Sequence, residues 1–189
     1  MSVLVPVADG SEEIETVCVV DTLVRAGAKV TIASVTDSLT VVCSRGVKLV
    51  ADAMISDVAG TEFDCIAVPG GMPGAKTISE SAAFIGMLKA HCAAGKLYGA
   101  ICAAPAVCLA EHKLIPDGAL ATCHPGFAAK LAEAIGSSRC SEERVVVSAE
   151  HKFVTSRGPG TAIEFALALA AILFDEQKAK DVAGPMLVK

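Results

Sequence analysis

The chain has 189 residues, of which 53% are hydrophobic and 20% are charged, and this length and composition predict one folded domain and exclude a disordered chain. The net charge of -5, without a visible basic cluster, argues against a protein that binds the phosphate backbone of nucleic acids.

Neither a membrane span nor a secretion signal is expected from the apolar segments. The most apolar run, residues 165–174, is flanked by Glu164 and Asp175 and is too short to cross a bilayer. The first ten residues contain no basic residue and no cleavage pattern, so we expect a cytoplasmic protein. In that reducing compartment the eight cysteines should be free thiols, and no C-x-x-C pair or zinc-ligand spacing predicts a metal site.

The first half of the chain contains three apolar runs, one helical pattern and a hairpin. The apolar run 2–7 predicts a buried strand, and 29–35 predicts a second. Between them, apolar residues recur at steps of three and four up to a glycine stop, which predicts a helix: Ile14, Val17, Cys18, Val20, Leu23 and Val24. Residues 40–50 predict a hairpin, and the third apolar run, 64–74, ends in a glycine turn.

The second half continues the alternation of helices and strands. A helix is predicted over 79–95, with Ser79 and Glu80 at its start, and a strand over 96–101. Further helices are predicted over 102–114, 125–134 and 160–179, and further strands over 119–123, 144–149 and 152–156. This order predicts one α/β domain over residues 1–189, a doubly wound and mostly parallel sheet with helices on both faces.

Ligands of such sheets bind at the carboxyl ends of the strands. Several predicted strands end in segments that are unusual for simple turns: residues 9–16, 69–74, Cys102, 123–126 and 156–160. We expect these segments to converge on one edge of the sheet and to form the functional site.

Cys102 lies between a predicted strand and a predicted helix. A side chain on such a sharp turn is held above the sheet and is expected to be exposed, and the alanines around it fit the crowding of that turn. The amino terminus of the following helix would favour the thiolate and lower the pKa of Cys102. We therefore predict a reactive thiol here and structural thiols at five other positions: Cys18, Cys43, Cys65, Cys92 and Cys108.

Glu15 lies in the first turns of the first predicted helix, on a face that is otherwise apolar. An inward carboxyl group would be desolvated, which raises its pKa and suits a proton carrier. Alternatively, Glu15 is a solvated carboxylate that complements the helix dipole, and the sequence favours neither interpretation. For Glu12 and Glu13 the solvated position is the one we expect.

Other strand ends carry weaker signals. His124 follows a predicted strand, so it is either a surface-loop histidine or part of the site. Gly70 and Gly71 can direct backbone N–H groups into a cleft as an oxyanion hole, or can form only a turn. Arg45 and Arg157 can bind an anionic group or pair with surface carboxylates.

Several segments, in chain order, resemble the ThiJ/PfpI superfamily: EEIETV at 12–17, CSRG at 43–46, PGGMPGA at 69–75, SESAA at 79–83, AICAAP at 100–105, TCHP at 122–125 and TSRGPGTAIEFALAL at 155–169. The resemblance spans essentially the whole chain. It is closest to the branch that contains the Parkinsonism-associated protein deglycase.

The resemblance implies a flavodoxin-like fold of the class I glutamine amidotransferase type, a homodimer, and a site without cofactor or metal. The nucleophile of the family falls on Cys102, its proton-sharing glutamate on Glu15 and its site histidine on His124. The remaining site positions implied are the backbone donors Gly71 and Ala103, with Gly70 adjacent, and the substrate-binding side chains Arg45 and Arg157.

Two positions depart from branches of the family. The intracellular-protease branch has a histidine directly after the cysteine, whereas this chain has Ala103, so a peptidase dyad is not assembled in that way. The second sensitive cysteine of the human-type member corresponds to Val50, which argues against a role that needs that thiol.

The function implied is a glutathione-independent glyoxalase or protein deglycase in carbonyl-stress defence, acting on methylglyoxal, glyoxal or their early glycation adducts. In this hypothesis Cys102 adds to the aldehyde, and Glu15, assisted by His124, moves a proton so that water releases lactate or glycolate. The alternative is a redox-sensing stress protein or chaperone that acts through oxidation of Cys102. A third possibility, an amidotransferase- or protease-like hydrolase, lacks an acidic residue near His124 in sequence.

Overall fold

A seven-stranded sheet forms the centre of the molecule, and the computed structural model describes residues 1–188. Its strands and a separate two-stranded hairpin are, in chain order, β1 (Ser2–Val7), β2 (Lys29–Ser34), β3 (Thr40–Val42), β4 (Lys48–Val50), β5 (Ala53–Met54), β6 (Cys65–Val68), β7 (Leu97–Ile101), β8 (Val145–Ser148) and β9 (Phe153–Ser156). The hairpin predicted over residues 40–50 is confirmed as β3 and β4.

The strands of the sheet lie in the order β5-β2-β1-β6-β7-β9-β8, and only β8 runs antiparallel to its neighbour. The central strands are buried along their length, as continuous apolar runs in a covered parallel sheet should be. The predicted mostly parallel α/β sheet is confirmed. Because β1, β6, β7 and β9 are parallel, their carboxyl ends lie at the same edge.

Helices cover both faces of this sheet. They are α1 (Glu13–Arg25), α2 (Gly74–Glu80), α3 (Ala82–Ala93), a π-helix (Pro105–Leu109), α4 (Ala128–Ile135), α5 (Ala162–Leu173) and α6 (Glu176–Ala183). Neighbouring residues of β7 show the two layers, since a Cβ atom on Gly99 would lie 2.9 Å from the Phe165 ring of α5. Tyr98 instead donates its hydroxyl to the carbonyl oxygen of Leu114, beyond the π-helix, over 2.7 Å.

Only part of the apolar stripe that predicts α1 is buried. Ile14, Val17 and Val24 are 51%, 51% and 52% exposed, whereas Glu15 and Leu23 are fully buried. The helix packs against α5, and its position after β1 turns polar residues of its first turns toward the strand ends. The three- and four-residue periodicity therefore located the helix correctly, but three of the residues that it assigned to the buried face are exposed.

Several elements in the second half differ from the prediction, and a side-chain cap at Ser81 explains the first of them. Ser79 and Glu80 end α2 instead of starting a helix, and the Ser81 hydroxyl accepts the Phe84 N–H to begin α3. Within residues 1–188, the predicted strand 119–123 reduces to one bridge between Ala121 and Cys140. The predicted helix 102–114 is represented by the short π-helix.

The last predicted helix is divided into α5 and α6. The Asp175 side chain accepts the N–H of Lys178 over 2.7 Å and starts α6, so the side chain provides an alternative to continuing α5. No helix within residues 1–188 has the length and apolar character that a bilayer crossing requires, and α5 itself has twelve residues.

Candidate active site

Cys102 lies at the carboxyl end of β7 on a sharp turn, as the sequence predicted. Its φ of +64° is in the left-handed region, which is costly for a residue other than glycine. The exposed side chain expected from the sequence is wrong, because Cys102 is packed among the strand ends and is only 9% exposed. Two hydrogen bonds hold the turn: the Cys102 N–H donates to Ser156 over 2.9 Å, and the His124 N–H donates to the carbonyl of Cys102 over 2.8 Å. The ends of β7 and β9 and the loop at His124 therefore meet at this cysteine.

The carboxyl group of Glu15 is fully buried beside Cys102, so the inward position is the one that the chain adopts. Its Oε2 accepts the N–H of Gly70 over 2.8 Å, and its Oε1 has no hydrogen-bond partner within residues 1–188. Burial is the main cause that raises the pKa of Glu15 to about 7; the Glu12 carboxylate adds to the rise, while the Gly70 N–H and the neighbouring Cys102 thiol oppose it. Glu15 can therefore take or give a proton near neutral pH.

The backbone N–H groups of Gly71 and Ala103 lie near the Cys102 sulfur and favour its thiolate form. Burial and the Glu15 carboxylate nevertheless raise the pKa of the Cys102 thiol to about 12, and the two N–H groups only oppose this rise. The lowered pKa expected from a helix terminus is therefore not observed, because burial outweighs the N–H groups and a five-residue π-helix follows. A thiolate forms here most readily when Glu15 accepts the thiol proton.

The structure corrects the predicted role of Gly70 and explains why both glycines are needed. The Gly70 N–H is used by Glu15, so it is not an available donor for an oxyanion. A Cβ atom on Gly70 would lie 2.6 Å from the Cys102 Cβ and 2.9 Å from Glu15 Oε2. Gly71 has a φ of +85°, and a Cβ atom there would lie 2.3 Å from the carbonyl oxygen of Gly10. The two side chains approach each other only because Gly70 has none.

The expectation that Glu12 and Glu13 are solvated is wrong, since each is only 7% exposed. The Glu12 carboxylate caps α1 by accepting the N–H of Glu15 over 2.8 Å. Glu13 accepts the Ser44 hydroxyl over 2.7 Å and the Arg45 N–H over 2.8 Å. Each carboxylate is buried because nearby N–H or hydroxyl groups replace its water, one at the start of α1 and one at the β3–β4 turn.

The two predicted arginines lie in different places. Arg45 is exposed at the β3–β4 turn, and its guanidinium donates to the carbonyl of Ser44 over 3.1 Å. Arg157 follows β9 and donates to the carbonyl of Glu142 over 2.8 Å. Neither arginine forms a salt bridge within residues 1–188.

His124 and Arg157 line one open cleft of about 360 Å³ beside the buried pair. A Cβ atom on Gly158 would lie 3.5 Å from the ring of His124 and 4.0 Å from Glu15 Oε1, so this glycine separates the histidine from the carboxyl group. His124 is exposed, and its Nδ1 accepts the N–H of Gly126 over 3.1 Å, which places the ring proton on Nε2. The structure brings His124 to the rim of the site.

Sequence reasoning missed Arg144, which also lines this cleft. Its guanidinium binds both oxygens of Glu164 and donates to the carbonyl of Gly160 over 2.7 Å. Arg144 therefore links the start of β8 to the start of α5 and to the turn after β9. No motif pointed to Arg144, because its partner is twenty residues away.

The comparisons with known proteins agree on the family. Residues 1–172 match the DJ-1/PfpI family. Protein DJ-1 homologs B and A of Arabidopsis thaliana are 41% and 40% identical over 99% and 100% of this chain, which spans only 41% and 47% of their lengths. Glutathione-independent glyoxalase DJR-1.2 of Caenorhabditis elegans is 36% identical, with 97% of this chain and 94% of the relative covered.

A solved structure leads to the same assignment. Oxidized Toxoplasma gondii DJ-1 is 50% identical and superposes with a TM-score of 0.93, covering 98% of this chain and 97% of that one. The ThiJ/PfpI resemblance and the flavodoxin-like fold expected from it are thereby confirmed. The chain belongs to the DJ-1/PfpI family.

Proposed function

We propose that the chain is a cofactor-independent glyoxalase and deglycase that uses Cys102 as nucleophile. The observation that carries this proposal is the buried pair formed by the Cys102 thiol and a Glu15 carboxyl with a pKa of about 7. The glutathione-independent glyoxalase of Caenorhabditis elegans supports the reaction class. The substrates proposed are methylglyoxal and glyoxal, free or as early adducts on protein side chains.

In the first step the Cys102 sulfur adds to the aldehyde carbon of methylglyoxal. The thiol proton passes to the Glu15 carboxylate, and the C=O double bond becomes a C–O single bond as the C–S bond forms. Glu15 then returns this proton to the oxygen, which gives a neutral hemithioacetal and restores the Glu15 carboxylate as a base. The N–H groups of Gly71 and Ala103, which lie near the sulfur, would stabilise the negative charge on the oxygen one bond beyond the attacked carbon.

In the second step a proton moves between the two adjacent carbon atoms. Glu15 removes the proton from the former aldehyde carbon, which gives an enediol, and returns a proton to the neighbouring carbon, which gives a thioester on Cys102. Water hydrolyses this thioester to lactate and regenerates the thiol. His124, whose Nε2 carries the proton, assists as a donor at the rim, and Arg157 attracts the carboxylate product.

The test uses purified protein and methylglyoxal without glutathione, other thiols or metal, and follows lactate by an enzymatic assay. We expect lactate from the wild type and none above background from Cys102→Ser. Cys108→Ser is the matched control, because Cys108 is also a buried thiol, six residues further along, with its pKa raised to about 12. Lactate from Cys102→Ser, or its loss in Cys108→Ser, would contradict the assignment.

The deglycase part is tested with a preformed adduct of methylglyoxal and N-acetylarginine. A direct deglycase regenerates N-acetylarginine faster than the adduct releases free aldehyde. If regeneration never exceeds that spontaneous release, the enzyme acts on the free aldehyde alone.

The second candidate function is redox sensing through Cys102. The two N–H groups at the sulfur and the protonated form of Glu15 would bind the oxygens of a sulfinate. The lactate assay separates the candidates: if the wild type makes no lactate while dilute peroxide oxidises Cys102 selectively over Cys108, the sensor is favoured.

We also propose that the chain forms a homodimer in the cytoplasm. Ile14, Val17 and Val24 place exposed apolar side chains on α1, a surface that a second copy would cover. All eight cysteines are free thiols, which suits a reducing compartment. Light scattering on the wild type and on Val17→Asp measures the dimer, which the substitution should weaken.

A further inference from the structure

A second cleft opens at the other end of the sheet from Cys102. It has a volume of about 710 Å³ and lies between the end of α3, the segment after the π-helix and the turn between β8 and β9. Tyr98, near the start of β7, lines it, whereas Cys102 follows the other end of this strand. The two sites are therefore separated by roughly 15 Å, the length of a five-residue strand.

Three lysine side chains from three different segments line this cleft: Lys89, Lys113 and Lys152. None of them forms a salt bridge in the described part of the chain, residues 1–188. The whole chain carries a net charge of -5. Three unpaired ammonium groups around one cleft therefore give this part of the surface a more positive charge than the chain as a whole.

The backbone at two of these lysines is strained. Lys113 and Lys152 have φ values of +56° and +49°, in the left-handed region where glycine is preferred. Cys102 has the same feature, with a φ of +64°. A lysine at such a position makes the fold less stable than a glycine would, and strain of this kind concentrates at functional sites.

The other charged groups of the cleft only partly offset the lysines. Asp117 and Glu150 also line it, and Glu150 lies 3.4 Å from Nδ1 of His151. His112 uses its Nε2 proton to bind the carbonyl of Ser79 over 2.9 Å. Three ammonium groups therefore face two carboxylates in this cleft.

An apolar surface adjoins the lysines. Leu114 and Ile115 line the cleft, and the Tyr98 hydroxyl is already bonded to the Leu114 carbonyl. An anionic group alone would leave this surface unused, whereas an anion with a short apolar substituent would bury part of it.

We propose that this cleft binds an organic phosphate, with its phosphate group among Lys89, Lys113 and Lys152 and its organic substituent against Leu114 and Ile115. A phosphate dianion has terminal oxygens and charge enough for several ammonium groups, which a single carboxylate does not. The site is separate from the Cys102 pair and from the reaction proposed there.

Tyr98 supplies a reporter for the test, because it is the only tyrosine of the chain and the chain has no tryptophan. The fluorescence of Tyr98 is followed while n-butyl phosphate is added, with inorganic phosphate and 1-butanol as separate probes. We expect a saturable change with n-butyl phosphate, weaker binding of inorganic phosphate and no saturable change with 1-butanol.

Variants identify the groups that bind. Lys113→Gln and Lys152→Gln should each weaken n-butyl phosphate binding by about tenfold, the loss of one charge-assisted contact. Lys180→Gln removes the same charge from α6, outside the cleft, and should bind as the wild type does. Lys113→Gly should bind weakly while unfolding at a temperature no lower than the wild type, since glycine relieves the backbone.

The proposal is overturned if n-butyl phosphate gives no saturable change or if 1-butanol reproduces that change. It is also overturned if Lys180→Gln weakens binding as much as Lys113→Gln, because the effect would then reflect the overall charge. Loss of binding in Lys113→Gly without loss of stability separates a ligand contact from a structural role of the lysine.

Discussion

Glu13 and Glu15 lie two residues apart at the start of α1 and are both buried, yet their surroundings differ. Both oxygens of Glu13 accept hydrogen bonds, one from the Ser44 hydroxyl and one from the Arg45 N–H. Only one oxygen of Glu15 has a donor, the Gly70 N–H, and its Oε1 has none within residues 1–188. Glu13 thus has a hydrogen-bond donor for each carboxylate oxygen at the hairpin, whereas Glu15, beside the Cys102 thiol, has a donor for only one.

The pKa values move in opposite directions as a result. Burial raises the pKa of Glu13, but the hydrogen bonds from Ser44 and from backbone N–H groups outweigh it and leave the pKa lowered. Burial dominates at Glu15, whose pKa rises to about 7. Burial alone does not make a carboxyl group a proton carrier, because the number of donors decides whether the charged form is stabilised.

The largest expected effect is a loss of catalytic rate on substitution of Glu15 that substitution of Glu13 does not cause. Glu15→Gln should reduce kcat for lactate formation by about 10²–10⁴-fold, the usual contribution of a positioned general base. Glu13→Gln should retain most of kcat, and any loss should fall on KM, because Glu13 holds the turn that carries Arg45. Steady-state kinetics with methylglyoxal measures both variants, and an unimpaired Glu15→Gln enzyme would remove Glu15 from the mechanism.

The pH profile tests the same contrast. The base form of Glu15 is required, so kcat/KM of the wild type should fall about tenfold per pH unit below a pH near 7. Glu13→Gln should keep this acid limb, and the residual activity of Glu15→Gln should lose it. An identical acid limb in Glu15→Gln would assign the titration to another group.

The sequence predicted the sheet and the sharp turn at Cys102 well because their signals are local. Continuous apolar runs gave β1, β6 and β7, and the strand-to-turn boundary at Cys102 gave the sharp turn. The helix predictions were wrong at two side-chain caps. The side chains of Ser81 and Asp175 start new helices inside segments where the periodicity predicted one continuous helix. Local sequence does not show which of two competing backbone arrangements packing will favour.

The contacts of the site were harder to predict because they join distant residues. Glu15 meets Gly70 across fifty-five positions, and Glu13 meets Ser44 across thirty-one. The burial of Glu13 and the use of the Gly70 N–H by Glu15 both depend on these pairings. Composition and spacing along α1 contain no information about the β3–β4 turn that satisfies Glu13.

A smaller effect is expected on stability, with opposite pH dependence for the two residues. Because the pKa of Glu15 is raised from 4.5 to about 7, its favourable contribution is present below pH 4.5 and is lost as the pH rises through about 7. The wild type should therefore lose on the order of 3 kcal/mol relative to Glu15→Gln between those pH values. Urea unfolding at several pH values, followed by circular dichroism, measures this difference.

Glu13 provides the comparison with the reverse sign. Its pKa is lowered, so its contribution is present above its ordinary value of 4.5 and is lost as the pH falls through the lowered value. The free energy of unfolding of Glu13→Gln should therefore approach that of the wild type in acid. A stability difference for Glu15→Gln that stays constant between pH 4 and pH 8 would contradict the raised pKa of Glu15.

The smallest effect is expected from Ser44→Ala, which makes Glu13 resemble Glu15 by removing one of its donors. The variant loses the 2.7 Å hydrogen bond to Glu13 Oε2, so the pKa of Glu13 should rise and the free energy of unfolding should fall by about 1–2 kcal/mol. NMR titration of the Glu13 carboxyl carbon and urea unfolding measure the two changes. Ser138→Ala is the matched control, because Ser138 is exposed and its hydroxyl makes no hydrogen bond within residues 1–188. If the pKa of Glu13 stays lowered in Ser44→Ala, the backbone N–H groups alone stabilise its charge, and the contrast with Glu15 then depends on the backbone of the β3–β4 turn.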